Sequence, residues 1–275
     1  MYVGVDVGGT KTLVAVLTDD GEIREQTKFP TPQNYQHFLL ELRHTLAHFK
    51  HRDFRAGAIG IAGLIDREHG RRMPAGQLRW NNVPIQADVE HILDCPTLLE
   101  NDAKLACLSE ALLLKGEYQR VLYLTVSTGL GYALTVNGQI DPNIGDRGGT
   151  TIMVEQHNQH VAWEDLASGR AIVERYGKKA MDITDHFTWQ AIVRDLAKGL
   201  SELIAITEPE IIIIGGSVGV YFNRYGRLLH EELKQYTLPS TRTPELRQAK
   251  RPEEAVVYGC YDLAKQRFGH AATTH

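Results

Sequence analysis

The sequence predicts an α/β protein built from two related halves, and two observations carry this prediction. The chain opens with a strand, a Gly-rich turn, a second strand, an Asp-Gly turn and a third strand, written MYVGVDVGGTKTLVAVLTDDGEI. The same order recurs about 120 positions later in VLYLTVSTGLGYALTVNGQI. Helical patterns alternate with buried strands in the rest of the chain. We therefore predict two α/β halves, each with one Gly-rich turn.

The first Gly-rich turn is neither a Walker loop nor a dinucleotide fingerprint. Counting from Gly4, the second Walker glycine falls on Gly9, but Lys11 comes one position late, and a strand follows where a helix is required. Gly8 and Gly9 permit positive φ and expose backbone N–H groups to an anion, while Asp6 suits a hydrated Mg²⁺. A tight hairpin with a solvated Asp6 is an equally good interpretation of this unit alone.

Composition limits the class of protein. The chain has 275 residues, of which 43% are hydrophobic and 23% charged, and its net charge of -4 gives no basic footprint for nucleic acid. No apolar run approaches the ~20 residues that span a bilayer, and the N-terminus has no cationic leader. Cys95, Cys107 and Cys260 are far apart in the sequence. We therefore expect them to be buried thiols in a reducing compartment. We expect a cytoplasmic protein that binds neither membrane nor nucleic acid.

The stretch between the two units alternates helices and strands. In chain order its predicted elements are an amphipathic helix over 34–50, a buried strand over 56–66 that turns at Gly63, a helix over 84–93, a strand over 97–99 and a helix from Ala103.

A further glycine pair follows a buried strand in the second half. Ile211 to Ile214 predict that strand, and Gly215 and Gly216 precede a helix. A glycine pair at this place lets a base or ribose approach the backbone, whereas a plain β-to-α turn that needs room to pack explains the same letters. A last helix over 254–265 is apolar on one face and is expected to pack on the first half.

Seven motifs, in order, resemble those of the ROK family of repressors, unassigned reading frames and sugar kinases. They are DVGGTKT at 6–12, GIAGLID at 60–66, RWNNVP at 79–84, ENDA at 100–103, STGLG at 127–131, EDLASGRAI at 164–172 and PEIIIIGGSV at 209–218. The resemblance covers nearly the whole chain and implies an actin/hexokinase-like (ribonuclease H-like) ATPase fold with two domains around a cleft. The expected domains are a smaller one over 1–115 plus 255–275 and a larger one over 116–254.

The resemblance also implies a function and its residues. It implies a homodimeric, ATP-dependent sugar kinase of the glucokinase or N-acetylmannosamine kinase type, with ATP and Mg²⁺ as cofactors. It assigns phosphate or nucleotide contacts to Gly8, Gly9, Thr10, Lys11, Thr128, Gly129, Gly131, Gly215 and Gly216. It assigns Mg²⁺ to Asp6, and sugar contacts to Gly63, Asn101, Asp102 and Glu164, with Asp102 as the catalytic base.

The chemistry expected of Asp102 agrees with this assignment. Phosphoryl transfer asks a protein mainly for positioning and charge stabilisation, and a carboxylate within reach of the acceptor hydroxyl takes its proton. Asp102 stands at a strand end before a helix, where Asp is also a favoured N-cap. We favour the catalytic interpretation because Asn101 stands beside Asp102 and two phosphate turns accompany them.

Two departures from the family pattern concern the sugar site. Where the family has a Gly-Glu-x-Gly-His stretch, this chain has GDRGGTTIMV. Gly149 stands at the Glu position and Ile152 at the His position. The cysteine-rich zinc loop becomes EQHNQHVAWEDLASG, which has no cysteine, so no zinc site is expected. His157 and His160 are interpreted as part of a solvated loop. Tyr132 replaces a usual glycine, and either stacks on a ligand or narrows the phosphate turn.

Two rival functions stay open beside the kinase. A non-catalytic sugar or nucleotide sensor is favoured by the altered Glu and His positions. A repressor is disfavoured because the phosphate loop begins at residue 4 and no basic patch is present. The sugar and the phosphoryl donor, ATP or polyphosphate, also stay open.

Overall fold

The computed structural model describes residues 1–74, 78–236 and 243–269. Its strands are β1 Tyr2–Val7, β2 Lys11–Leu17, β3 Ile23–Pro30, β4 Ala56–Ile61, β5 Ile65–Asp66, β6 Arg71–Arg72, β7 Thr97–Asn101, β8 Arg120–Val126, β9 Leu130–Val136, β10 Gln139–Ile140, β11 Met153–Gln156, β12 Gln159–Ala162, β13 Ile211–Gly215 and β14 Glu245–Gln248.

The helices lie between and after these strands. They are α1 Tyr35–Ala47, α2 Ile85–Leu93, α3 Asp102–Leu112, α4 Trp163–Ala167, α5 Gly169–Tyr176, α6 His186–Thr207, α7 Gly216–Gly219, α8 Phe222–Leu233 and α9 Ala255–Phe268. Short 3-10 helices occupy Gly148–Thr150 and Ala180–Asp182. Among the described residues no helix is both long enough and apolar enough to cross a bilayer.

The chain divides into two compact units with the same sheet topology. Unit 1 holds Met1–Ser109 and Glu254–His275, and unit 2 holds Glu110–Glu253. The sheet of unit 1 has the order β3-β2-β1-β4-β7, and that of unit 2 has the order β10-β9-β8-β13-β14. In each sheet the first three strands pair antiparallel and the last three pair parallel. The predicted α/β class and the predicted repetition of strand-turn-strand units are confirmed.

Unit 1 covers both faces of its sheet with helices, which explains why the central strand β4 is apolar throughout. Every residue of β4 is buried. On one face α1 contributes the buried Phe38 and Leu42, and its first turn is capped by Asn34, whose Oδ1 accepts from the N–H of His37 at 3.0 Å. The opposite face is covered by α9, which packs against β1 and β4. The apolar face predicted for the last helix therefore serves the first unit.

Unit 2 is organised around α6, a 22-residue helix that the sequence patterns did not single out. The helix begins after Asp185, whose Oδ1 accepts from the N–H of Thr188 at 2.8 Å. Its buried face includes Trp189 and Leu196, which pack in one core with residues of β8, β9 and β13.

The stretch that contains His157 and His160 is a hairpin and not the loop that we predicted, although both histidines are exposed as expected. Strands β11 and β12 pair antiparallel, and the turn residues His157 and Asn158 have φ of 50° and 60°. Two successive left-handed residues fit a two-residue type I′ turn, in which Asn is favoured. The polar letters indicated the exposure of the two histidines, but they gave no sign of the strand pairing or of the buried Val154.

Candidate functional site

The first Gly-rich turn joins β1 to β2 in unit 1. The N–H of Gly8 donates to the carbonyl of Lys11 at 3.0 Å and closes the turn. Thr10 and Lys11 are exposed, as a role in phosphate binding requires. Gly8 and Gly9 permit positive φ but neither adopts it, and at Gly8 the turn needs the room that a missing Cβ leaves. A Cβ on Gly8 would lie 2.9 Å from the carbonyl oxygen of Lys11.

Thr31, directly after β3, fastens this turn. Its Oγ1 donates to the carbonyl of Gly8 at 2.9 Å, and its N–H donates to the carbonyl of Thr10 at 3.0 Å. The Oγ1 of Thr12 lies 2.9 Å from that of Thr31 and donates to it, since the hydrogen of Thr31 is already engaged. Both threonines are buried. No local motif marks this arrangement, because Thr31 stands 23 residues from Gly8.

Thr31→Val is expected to lower the free energy of unfolding by about 1–3 kcal/mol, because the carbonyl of Gly8 loses its donor and the hydroxyl of Thr12 loses its acceptor. Nucleotide binding is expected to weaken with it. Thr31→Ser keeps the hydroxyl and is the control. Chemical denaturation of the three proteins checks the effect, and equal stability of the Val and Ser variants would contradict it.

Asn101 caps α3, and Asp102 is the first residue of that helix. The Oδ1 of Asn101 accepts from the N–H groups of Ala103 at 2.9 Å and Lys104 at 3.3 Å. Its Nδ2 donates at 3.2 Å to the carbonyl of Gly63, whose φ is 101°. The alternative that Asp102 is the N-cap is therefore wrong, because its neighbour takes that place. Asp102 accepts the N–H of Ala103 at 2.8 Å.

A partly buried ion pair supports the backbone just before these two residues. Arg67 makes a bidentate contact with Glu100, with Nε at 2.9 Å from Oε2 and Nη2 at 2.6 Å from Oε1. The same Oε1 accepts from the N–H of Asn101 at 2.6 Å. A planar, bidentate pair fixes direction as well as distance. Glu100 belongs to a recognised motif, but its partner Arg67 was missed because 33 residues separate them.

Asp6 and Asp102 are two carboxyl groups of unit 1 whose pKa values are both raised. Burial raises the pKa of Asp6 to about 8, the charge of Asp102 raises it further, and Lys28 lowers it. Burial also raises the pKa of Asp102, against the opposing hydrogen bond from Ala103. Hard oxygen donors of this kind fit Mg²⁺, which is held by one or two carboxylates, waters and substrate phosphates. The described residues contain no cluster of three His, Cys, Asp or Glu side chains for a protein-only metal site.

The free energy of unfolding of the ligand-free protein is expected to fall between about pH 4 and pH 8. The pKa of Asp6 in the fold, about 8, lies above its ordinary value of 3.8, so the folded state binds more protons in this window. The stabilising contribution is fully present below pH 4 and is lost as the pH rises through 8. Asp6→Asn removes this contribution, so the free energy of unfolding of the variant should rise relative to that of the wild type as the pH rises. Denaturation curves of both proteins check this, and a constant stability difference across the window would contradict it.

Glu164, on α4, holds the second Gly-rich turn of the chain. Its Oε2 accepts from the N–H of Leu130 at 2.8 Å. A Cβ on Gly129 would lie 2.8 Å from the same oxygen, so only glycine allows the carboxylate this close. The sugar contact of Glu164 stays a prediction. Its hydrogen bond to the turn is a further role, which the sequence did not indicate.

The junction of α4 and α5 holds the other side of this turn. The N–H of Gly169 donates to the carbonyl of Ser127 at 2.6 Å, and that of Arg170 reaches the carbonyl of Thr128 at 3.4 Å. Thr128 is exposed and Gly131 is half-buried. Unit 2 thus presents the hydroxyl of Thr128 on a turn that is fixed at both ends.

Packing inside unit 2 accounts for Gly215 and Gly216. A Cβ on Gly215 would lie 2.1 Å from the hydroxyl of Tyr123. Gly216 has φ of 79°, and its Cβ would lie 2.5 Å from the carbonyl oxygen of Val126. Close approach to β8 therefore explains both glycines, as the plain-turn alternative expects, and the nucleotide contact stays a prediction.

The two altered family positions are apolar in the structure. Gly149 is buried, and a Cβ on it would lie 2.9 Å from Cδ2 of Leu130 and 3.2 Å from the backbone nitrogen of Glu164. Ile152 packs against the core of unit 2. Tyr132 is buried in the same core, which leaves its ring unavailable for stacking on a ligand.

Comparison with known proteins gives relatives and a fold. Glucokinase of Streptomyces coelicolor is 26% identical over 262 residues, covering 79% of this chain and 82% of that protein. N-acetyl-D-glucosamine kinase of Citrobacter koseri is 24% identical over 303 residues, covering 91% and 94%. The structure is similar to a ROK family glucokinase from Streptomyces griseus in complex with glucose and AMPPNP, with a TM-score of 0.82 and 22% identity over 96% of this chain and 99% of that one. The actin/hexokinase-like fold is thereby confirmed.

The family model named ROK family matches residues 2–267, which is nearly the whole of the described chain. This match includes the strand-turn-strand unit of each half, the Asn101-Asp102 pair and the glycine pair after β13. The chain belongs to the ROK family.

Proposed function

We propose that this protein is an ATP-dependent sugar kinase that transfers the γ-phosphoryl group to a hydroxyl of a hexose or N-acetylhexosamine, with Asp102 as the general base. The observation that carries the proposal is the geometry at the start of α3. Asn101 satisfies the helix N-terminus, so the carboxylate of Asp102 is not needed as a cap. The relatives named glucokinase and N-acetyl-D-glucosamine kinase support the substrate class that we propose.

Asp102 accepts the proton of the acceptor hydroxyl as the oxygen forms its bond to the γ-phosphorus, and ADP leaves. The raised pKa that burial gives this carboxyl makes it a stronger base than a solvated one. Arg67 and Glu100 fix the backbone that carries it. Unit 1 also supplies the phosphate loop, with the exposed Thr10 and Lys11 directed at the phosphates.

Mg²⁺, when bound, neutralises charge on the phosphate oxygens, and Asp6 would hold it. In unit 2 we assign the second phosphate contact to Thr128 and the N–H groups of Gly129 and Gly131. Gly215 and Gly216 are assigned to the adenosine, and Glu164 to sugar hydroxyls. The carbonyl of Lys11 holds the N–H of Gly8, which fixes the backbone of the turn, so we assign the main-chain contact to the N–H of Gly9, which meets a phosphate without prior rearrangement.

The altered positions should change which sugar is accepted more than they change the chemistry. Gly149 and Ile152 offer no side-chain hydrogen-bond partner to a sugar hydroxyl. A site with fewer buried polar groups rejects analogues less strongly, because no group is left unpaired when a hydroxyl is missing. We therefore infer that this site accepts a wider range of sugars than a site with both Glu and His would accept.

ADP release across a panel of sugars tests the proposal. The panel is glucose, mannose, fructose, allose, N-acetylglucosamine and N-acetylmannosamine, each with Mg-ATP and separately with Mg-polyphosphate, where sugar phosphate is measured instead of ADP. Sugar-dependent turnover with at least one acceptor supports a kinase and names its donor. The absence of turnover with every pair, from folded protein, would contradict it.

A non-catalytic sensor is the second candidate, and the two apolar positions favour it. Calorimetry separates it from the kinase: a sensor binds a sugar or nucleotide with no turnover of that pair. Binding that is accompanied by turnover excludes the sensor.

A further inference from the structure

The ROK resemblance implies a structural zinc ion in the stretch before Glu164, and the residues present do not fit one. Structural zinc takes four ligands, chiefly thiolates and imidazoles. Met153–Ala162 contains His157 and His160 and no thiol. His160 lies opposite Glu155 in the β11–β12 ladder, while His157 forms the turn. Within the described ranges no third ligand of this kind joins them.

Apolar packing and main-chain bonds hold this hairpin at its base. Val154 is buried in the core of unit 2, and Val161 and Ile152 pack against that core. The N–H of Trp163 donates to the carbonyl of Ile152 at 2.8 Å, which closes the hairpin where it meets α4. The far end of the hairpin has no such apolar support, since His157 and Asn158 are exposed.

A lysine on α6 holds the hairpin closer to its turn. Nζ of Lys198 donates to the carbonyl of Glu155 at 3.0 Å and to Oε1 of Gln156 at 2.5 Å. It also lies 3.9 Å from Oδ1 of Asp195, one turn earlier on the same helix. An ammonium group with three donors therefore links β11 to a helix more than 40 residues away.

The same turn of α6 seats the residue next to Glu164. The indole of Trp163 is fully buried, and its Nε1 donates to the carbonyl of Asp195 at 3.0 Å. Its ring lies on Gly199, where a Cβ would be 2.1 Å from Cδ2 of Trp163. The carboxylate of Asp195 in turn pairs with Arg175 of α5. The helix thus contacts this segment at two places, at the end of β11 and at the first residue of α4.

We propose that Lys198 is a positioning residue that fixes the β11–β12 hairpin to α6 without a metal ion, and that through Trp163 this arrangement keeps Glu164 on the second Gly-rich turn. Lys198 bridges the hairpin to a helix as a bound cation would, using main-chain and amide oxygens as partners. The part of this inference that concerns turnover rests on the proposed function, whereas the parts that concern metal content and hairpin order do not.

Lys198→Met tests the lysine, because it keeps most of the apolar stem and removes the donors. Backbone amides of residues 155–162 should exchange faster with deuterium, and kcat/KM for the sugar should fall about tenfold, as is common when a supporting partner of a site residue is lost. Lys198→Arg keeps donors and should restore most of both. Lys179→Met, an exposed lysine of the same unit, is the matched control and should change neither.

Three results would overturn the positioning role. The first is unchanged deuterium exchange in Lys198→Met. The second is a fall in kcat/KM in Lys198→Met that is equal to the fall in Lys179→Met. The third is a Lys198→Arg protein whose exchange and kcat/KM match those of Lys198→Met. If Lys198→Met does not fold, Lys198→Gln is measured in the same way. If the wild type phosphorylates no sugar, the exchange results still decide the hairpin, and the failure then belongs to the proposed function.

Metal content tests the other half of the inference. The purified protein should hold zinc far below one ion per chain, and 1,10-phenanthroline in Mg²⁺-containing buffer should leave the Tm unchanged. Stoichiometric zinc, with a Tm that falls on chelation and a zinc content lost in His157→Ala, would show that the hairpin is a metal site after all.

Discussion

Asp102→Asn is expected to lower kcat for sugar phosphorylation by roughly 10²–10⁴-fold, the contribution of a positioned general base. The fold should survive, because Asn101 and not Asp102 caps α3. Burial raises the pKa of the Asp102 carboxyl, so a neutral amide of the same shape removes an unfavourable buried charge. The Tm should therefore stay level or rise while turnover is lost.

Asn101→Ala is the contrasting variant. It removes the helix cap and the donor to Gly63, so the free energy of unfolding should fall by about 1 kcal/mol or more. Rate assays, thermal unfolding and nucleotide binding on both variants distinguish a catalytic base from a residue that only supports the fold. An Asp102→Asn protein that keeps turnover close to wild type would remove Asp102 from the catalytic role.

Gly216→Ala is expected to lower the free energy of unfolding by about 2–5 kcal/mol. Its φ of 79° costs an L-residue roughly 1–2 kcal/mol. The new methyl would also lie 2.5 Å from the carbonyl of Val126 and 2.7 Å from Oγ1 of Thr125, and overpacking of this kind costs about 1–3 kcal/mol. Because β8 leads into the second Gly-rich turn, nucleotide binding should weaken as well.

Gly177→Ala is the matched control for the backbone term. Gly177 also lies in unit 2 with positive φ, 65°, but a Cβ there would meet nothing within 4 Å. Its cost should therefore be the conformational part alone, roughly 1–2 kcal/mol. Denaturant unfolding of both variants measures the two costs. An equal fall in the free energy of unfolding would show that the close approach of Gly216 to β8 adds nothing to the cost of the substitution.

Local patterns predicted the elements whose signals are local. The repeated strand-turn-strand units became two sheets of identical order, and the Asn137-Gly138 turn has φ of 52° and 72°, as a type I′ turn requires. The apolar stripe over 254–265 became α9 and covers the sheet of unit 1.

Pairings between distant residues were not predictable in this way. Thr31 fastens the first turn from 23 residues away, and Lys198 reaches the hairpin from more than 40. Asn101 and Asp102 are both good caps by type, and only the backbone path decides which of them caps α3. The polar letters around His157 gave no sign of the hairpin, because the packing of Val154 depends on a helix elsewhere in the chain.

Transfer of labelled phosphate tests the central claim most directly. The protein is incubated with Mg-ATP labelled at the γ-phosphorus and each sugar of the panel, and the products are separated. The account predicts labelled sugar phosphate from the wild type with at least one acceptor, and almost none from Asp102→Asn. Label that stays in ATP, or appears only as inorganic phosphate with every sugar, would contradict a sugar kinase with Asp102 as its base.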